Sequence, residues 1–313
     1  MHKFASIGYS RCKLLVKVTH SSKMRILLAP LLTLALIVSE ACTKNGNGTN
    51  GSPTGPTSTP APGAALIYSA VGASDVLGIG STSPCFLFED CNGTGYVWVA
   101  ARQLRSQNYT VTVGNLGIPA AVISRSFQDL GEQNGRIIPG NLIDQEMPFV
   151  NRSANLVTVF TGANDVNTIT AALGNGAGGS DPATYIDGKV STFTSDFVTL
   201  INGIRGRATT ARIVVLNLPN LAALPFLASA SLSQKQAAQR ASVRMSTNAI
   251  NVTQGVTVID LLCDARFYQS SIYSSDGFHP NDSGYAIIGD EIVKAFTTSY
   301  PAPRTSCPQM SLY

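Results

Sequence analysis

The chain has 313 residues, is 44% hydrophobic and 13% charged, and carries a formal net charge of +4. That charge belongs to the N-terminus: residues 1–41 hold Lys3, Arg11, Lys13, Lys17, Lys23 and Arg25 against the one acid Glu40, a net +5 that leaves the remainder at −1. A near-neutral remainder gives no electrostatic footprint for nucleic acid, so that class of partner is set aside.

In chain order the first feature is the apolar run 26–38, ILLAPLLTLALIV, preceded by Met24 and Arg25. It is shorter than the ~20 residues that cross a bilayer. A basic start and small residues after the run mark a secretory signal within a leader 1–41, with Met24 as the true start. SEAC, 39–42, resembles the end of a bacterial lipoprotein signal, which implies lipid on Cys42. Residues 42–64 are Gly, Ser, Thr, Pro and Asn without apolar periodicity and read as a tether. The expected protein is exported and held to a membrane only through this N-terminal anchor, or else secreted.

Residues 65–313 are a body of the size of one α/β domain. Apolar strand-like runs recur at 64–72, 109–117, 155–162, 211–219 and 256–262, rich in Val and Ile on both faces, as in a covered parallel sheet. Helical stretches alternate with them at about 93–107, 183–205, 233–253 and 283–299. In the last, Asp282 or Ser283 is placed to cap, and Tyr285, Ile288, Ile292, Val293 and Phe296 share one face. The alternation implies βαβ units, a doubly wound α/β fold and one layer of helices on each side of the sheet.

Without Cys12 and Cys42, four cysteines remain: Cys85, Cys91, Cys263 and Cys307. An even number in an exported chain suggests disulfides. Three pairings are open, and the local one, 85–91 with 263–307, is preferred. No Cys-x-x-Cys occurs, so no metal site is expected.

In open α/β sheets, sites lie beyond the carboxyl ends of the strands. After the first strand comes GASDVLG (72–78), after the second NLGIPAA (115–121), after the third GAND (162–165), and the fifth leads on to DGFHP (276–280). GNGAGG, 174–179, joins no strand to a helix in a first βαβ unit and reads as a flexible loop near the active-site edge. His2 and His20 fall in the leader, so His279 is the one imidazole of the expected mature chain. Taken singly, Ser74 is an ordinary turn residue, Asn164-Asp165 a turn or cap, and His279 a loop histidine. Together and in this order they point to nucleophilic catalysis, in which a base takes the proton of a serine hydroxyl.

The four blocks resemble the SGNH, or GDSL, hydrolase family. The resemblance implies a flavodoxin-like three-layer α/β/α sandwich with a parallel five-stranded sheet, spanning about residues 65–300. It implies Ser74 as nucleophile, His279 as base and Asp276 as its orienting acid, with no cofactor. It implies oxyanion donors at the Ser74 and Ala120 N–H groups and the Asn164 amide. Two positions depart from the family pattern. Ala120 stands where the second block usually has glycine, which makes a positive φ costly and leaves Gly117 as an alternative donor. Ala73 stands where an acid often precedes the serine. The expected activity is carboxylic ester hydrolysis through an acyl-enzyme, by a monomer acting on a small ester. Carbohydrate O-acetyl groups are an alternative substrate, and a non-catalytic surface binding module is the alternative of a different class.

Overall fold

The computed structural model describes residues 60–86 and 91–313. The expected leader, Cys42 and the tether up to residue 59 lie outside the described residues. The last residues of the expected tether are held by the body: Gly63 N–H donates to Asn108 O at 2.8 Å and Tyr109 Oη to Pro60 O at 2.9 Å.

The five apolar runs become five strands: β1 (Ala65–Gly72), β2 (Thr110–Asn115), β3 (Leu156–Phe160), β4 (Arg212–Leu216) and β5 (Thr257–Ile259). All pair in parallel, in the order β2-β1-β3-β4-β5. Every residue of β3 is buried, which is why a central strand reads as an unbroken apolar run and not an alternating one. The chain goes outward from β1 to β2, then returns to the other side of β1 for β3, so the strand order reverses between β1 and β3. That switch point is where open α/β sheets place a crevice at their carboxyl edge. The register sets Gly72 beside Phe160 and Ala70 beside Asn115. The segments leaving β1, β2 and β3 therefore emerge side by side.

The helices are α1 (Tyr96–Ser106), α2 (Arg125–Gln133), α3 (Leu142–Gln145), α4 (Ala163–Gly174), α5 (Pro182–Arg207), α6 (Leu232–Met245) and α7 (Asp282–Thr297). α1 packs on α7, while α2, α4, α5 and α6 pack among themselves. The five residues of α7 expected on one face are all buried. Its cap differs from expectation. Asn281 is the N-cap, its Oδ1 accepting from the Ser283 and Gly284 N–H groups. Asp282 turns instead to Thr82 and Thr94, where it accepts three hydrogen bonds.

α2, α3 and α4 were not expected. α2 buries only Phe127, Gln128 and Gly131, too narrow an apolar stripe to register in the sequence. α4 starts inside GAND, so Asn164 and Asp165 sit in the first turn of a helix. α6 ends earlier than the expected 233–253 and passes into a π turn, Ser246–Ile250. There Ser246 Oγ accepts from Leu218 N–H and donates to Leu218 O, binding the helix to the end of β4. The glycine-rich stretch 174–179 leaves α4 and faces the start of α6 around Ser233 and Ala237.

Both disulfides follow the local pairing. Cys85–Cys91 has a Cα separation of 6.5 Å and Cys263–Cys307 one of 5.7 Å.

Candidate active site

Beyond β1 the chain makes a tight turn. Ser74 O accepts from the Leu77 and Ile79 N–H groups, both at 3.1 Å, and Asn115 Nδ2 braces the turn by donating to Val76 O. Gly72 is required at its entrance. It has φ +150°, and a Cβ there would lie 2.3 Å from Phe160 O. The turn leaves Ser74 6% exposed.

His279 comes from the other end of the chain. Gly277, at φ +69°, folds the loop back so that Asp276 and His279 meet, and Gly277 O accepts from Phe226 N–H at 3.1 Å. Asp276 Oδ1 accepts from Ser274 Oγ and from the Phe278 and His279 N–H groups, at 2.7–2.9 Å. Its Oδ2 lies 2.6 Å from His279 Nδ1. Partial burial works to raise this carboxyl, but the hydrogen bonds from the ring, the two backbone N–H groups and Ser274 outweigh it and bring it down to about 2. An ionised carboxylate only accepts, so Nδ1 carries the proton on that side of the ring. Nε2 is left facing Ser74 Oγ, at 2.7 Å. The ring is seated by Phe278, edge to face at 5.0 Å, and by Gly80, where a Cβ would come within 2.6 Å of His279 Cβ.

The structure thus brings together Ser74, His279 and Asp276. A hydroxyl, an imidazole and a carboxylate connected in this way can move a proton off the hydroxyl and stabilise the imidazolium that results.

The segment after β2 crosses beside the Ser74 turn. Ala120 takes φ +60°, the left-handed conformation that a glycine accepts freely. Gly117 does not take it; its N–H donates to Asn115 Oδ1, and a Cβ there would lie 3.0 Å from Ala73 O. Among the described residues, neither the Ser74 N–H nor the Ala120 N–H has a hydrogen-bond partner. Asn164 Nδ2 donates to Ala121 O at 3.1 Å, which sets its amide against the same segment.

Three residues outside the expected set complete the surroundings. Arg136 donates to Asn164 O, at 2.5 Å, and to Thr168 Oγ1, with a longer contact to Asn164 Oδ1 that favours Nδ2 facing the site. Glu146 is fully buried and its Oε2 accepts from Gly72 N–H at 2.7 Å. Ser274 supports Asp276. Asp165 accepts from Ile123 N–H at 3.0 Å, and burial pushes its carboxyl up to about 7. Asp75 is also raised by burial, with Tyr285 Oη nearby at 3.5 Å. Neither Arg136 nor Glu146 falls in a motif; each reaches the site from outside the four blocks.

A doubly wound α/β fold with a serine, an imidazole and a carboxylate at its switch point has the form of a hydrolase. Residues 70–287 match the GDSL-like Lipase/Acylhydrolase family, and the chain belongs to that family. In structure it is similar to the lipase Lip_vut3 from a goat rumen metagenome, at 20% identity and a TM-score of 0.50, covering 74% of this chain and 98% of that one. An extracellular lipase from Streptomyces rimosus is 19% identical, with a TM-score of 0.46 and coverage of 72% and 99%. A carbohydrate esterase family 2 enzyme from Corynascus thermopiles (Myceliophthora fergusii), joined to a carbohydrate-binding domain, is 19% identical, with a TM-score of 0.41 and coverage of 76% and 67%. No curated protein sequence matches the chain.

Proposed function

We propose that the protein is a serine ester hydrolase in which Ser74 attacks the acyl carbon, His279 takes and returns the proton, and Asp276 holds the imidazole. The observation that carries this reading is the unbroken connection from Ser74 Oγ through the ring to Asp276, 2.7 Å and 2.6 Å long. As the carbonyl becomes tetrahedral its oxygen gains charge. The free N–H groups of Ser74 and Ala120 and the second N–H of Asn164 Nδ2 are the donors offered to it, and one such donor contributes ~3 kcal/mol. The left-handed Ala120 backbone supports Ala120, and not Gly117, as the second donor.

A small apolar cavity of about 30 Å³ lies beside Asp75 and Phe278, between Phe160, Leu218 and Leu224. Two disulfides support folding in an oxidising compartment, and with the leader they favour export. Lipid on Cys42 completes the proposal, and Cys42→Ala should move the protein from the membrane fraction to the soluble one.

A fluorophosphonate probe with the labelled residue mapped tests the central reading. Labelling at Ser74, with turnover of p-nitrophenyl acetate that Ser74→Ala abolishes, is the expected result. Folded protein that takes no label favours the binding module instead.

A further inference from the structure

Glu146 follows α3, outside all four blocks, and its side chain is buried without a cation beside it. Oε2 accepts from Gly72 N–H at 2.7 Å, and Oε1 has no partner among the described residues. An acid placed this way is costly. An apolar side chain of similar volume would ordinarily be neutral or stabilising in its place. Burial pushes the carboxyl well above the ordinary carboxylate range, which holds it toward its neutral form.

The amide it meets lies where two segments cross. Gly72 is the last residue of β1 and leads directly into Ala73-Ser74. Ile118 lies two residues before Ala120. They touch each other through a single long bond, Ile118 N–H to Gly72 O at 3.3 Å. The far end of the Ala120 segment is held separately, by Asn164 Nδ2 on Ala121 O and by Asp165 on Ile123 N–H. The near end rests on the end of β1, through Leu116 N–H to Ala70 O and Ile118 N–H to Gly72 O, and Glu146 holds Gly72.

We propose that Glu146 is a positioning residue: its carboxyl holds the Gly72 peptide, whose carbonyl in turn accepts from Ile118, and so sets the spacing of the Ser74 and Ala120 N–H donors. This rests on the reading of those two N–H groups given above. Glu146 touches neither substrate nor the reacting atoms. It acts on kcat through the backbone it holds, because donors matter most where charge develops.

The experiment compares Glu146→Gln, Glu146→Leu and Glu146→Asp with wild type. It measures kcat and KM on p-nitrophenyl acetate, melting temperature, and hydrogen–deuterium exchange of peptides covering 70–77 and 115–122. Gln keeps an acceptor, so its kcat should stay within about threefold of wild type. Folded Leu should lose at least ~10-fold in kcat with KM within about twofold. Exchange should speed up in both peptides for Leu and not for Gln.

A folded Leu variant with wild-type kcat and unchanged exchange overturns the proposal, as does a Gln variant that loses as much as Leu. If Leu does not fold, Asp decides, because its carboxyl is one methylene short of the Gly72 amide; a folded Asp variant with wild-type kcat overturns the proposal. If Asp does not fold either, Glu146 is a requirement of the fold and the proposal falls. An inactive, unlabelled wild type would sink the Ser74 reading alone, with the exchange data still deciding whether Glu146 joins the two segments.

Discussion

The loop that presents His279 and the segment that presents Ala120 lie at the same sheet edge and are held in opposite ways. The histidine loop is built from its own residues. Asp276 gathers donors from Ser274, Phe278 and His279, all within three positions of it. Gly277 supplies the one left-handed residue the turn needs. The Ala120 segment has a left-handed residue with a Cβ, and its hydrogen bonds run to Gly72, itself held by Glu146, and to Asn164 and Asp165, each more than twenty residues away. The first loop is specified locally. The second is imposed by buried acids on other elements.

The largest effects should come from the histidine loop and the serine it serves. His279→Ala and Ser74→Ala should each lower kcat by ~10⁴-fold or more, and the double variant should be little worse, because such groups act as a unit. Steady-state kinetics on p-nitrophenyl acetate with circular dichroism checks this. A folded, active His279→Ala protein would break the proposed mechanism.

Next come the two residues that support the reacting groups from each side. Asp276→Asn should cost ~10³-fold in kcat, since it removes the acceptor that fixes the ring. Asn164→Ala should cost ~10²-fold, the value of one oxyanion donor. Comparable losses at the two positions would blur the contrast between the loops.

Stability separates them further. Gly277→Ala should lower the melting temperature by several degrees, because the position has φ +69° and a Cβ there would meet Phe226 N at 2.6 Å.

Asp165 gives the remote scaffold a pH signature. Its carboxyl is raised to about 7 by burial, so the folded state favours the protonated form. That contribution is full below its unfolded value of ~4 and is lost as pH rises through about 7. Asp165→Asn should therefore flatten the fall in melting temperature between those two pH values, read by scanning calorimetry. A fall of equal size in the variant would show that Asp165 is not its source.

The smallest effect belongs to Ala120→Gly. Relief of the left-handed strain, ~1–2 kcal/mol, is partly offset by the added freedom of glycine in the unfolded chain. A rise of about one to three degrees with kcat nearly unchanged is expected. A large loss of kcat would mean that the methyl group itself positions the substrate.

The same contrast explains what was legible in the sequence. The strands were, because β1, β3 and β4 are apolar on both faces. The Asp276–His279 loop was, because Asp276, Gly277 and His279 lie within four consecutive residues. The left-handed turn at Ala120 could be suspected only from its place in the second block, since alanine gives no sign of positive φ. Glu146 and Arg136 were not legible. The second acid in LIDQEMPF and one arginine after α2 look like surface residues until the fold buries the first and lays the second along α4. α2 and α4 were missed for a related reason: their partners are other helices, and little apolar periodicity is needed to dock them.

The Cys263–Cys307 bridge, finally, closes a stretch of 44 residues that contains Ser274, Asp276 and His279. On a chain-entropy estimate such a closure stabilises the fold by ~4 kcal/mol. The proton acceptor of the proposed reaction is thus carried on a covalent ring. A cell that makes the protein without oxidising it would obtain a chain whose serine turn still rests on the sheet but whose histidine has lost its tie. Reductant should therefore act on this protein as an inhibitor before it acts as a denaturant.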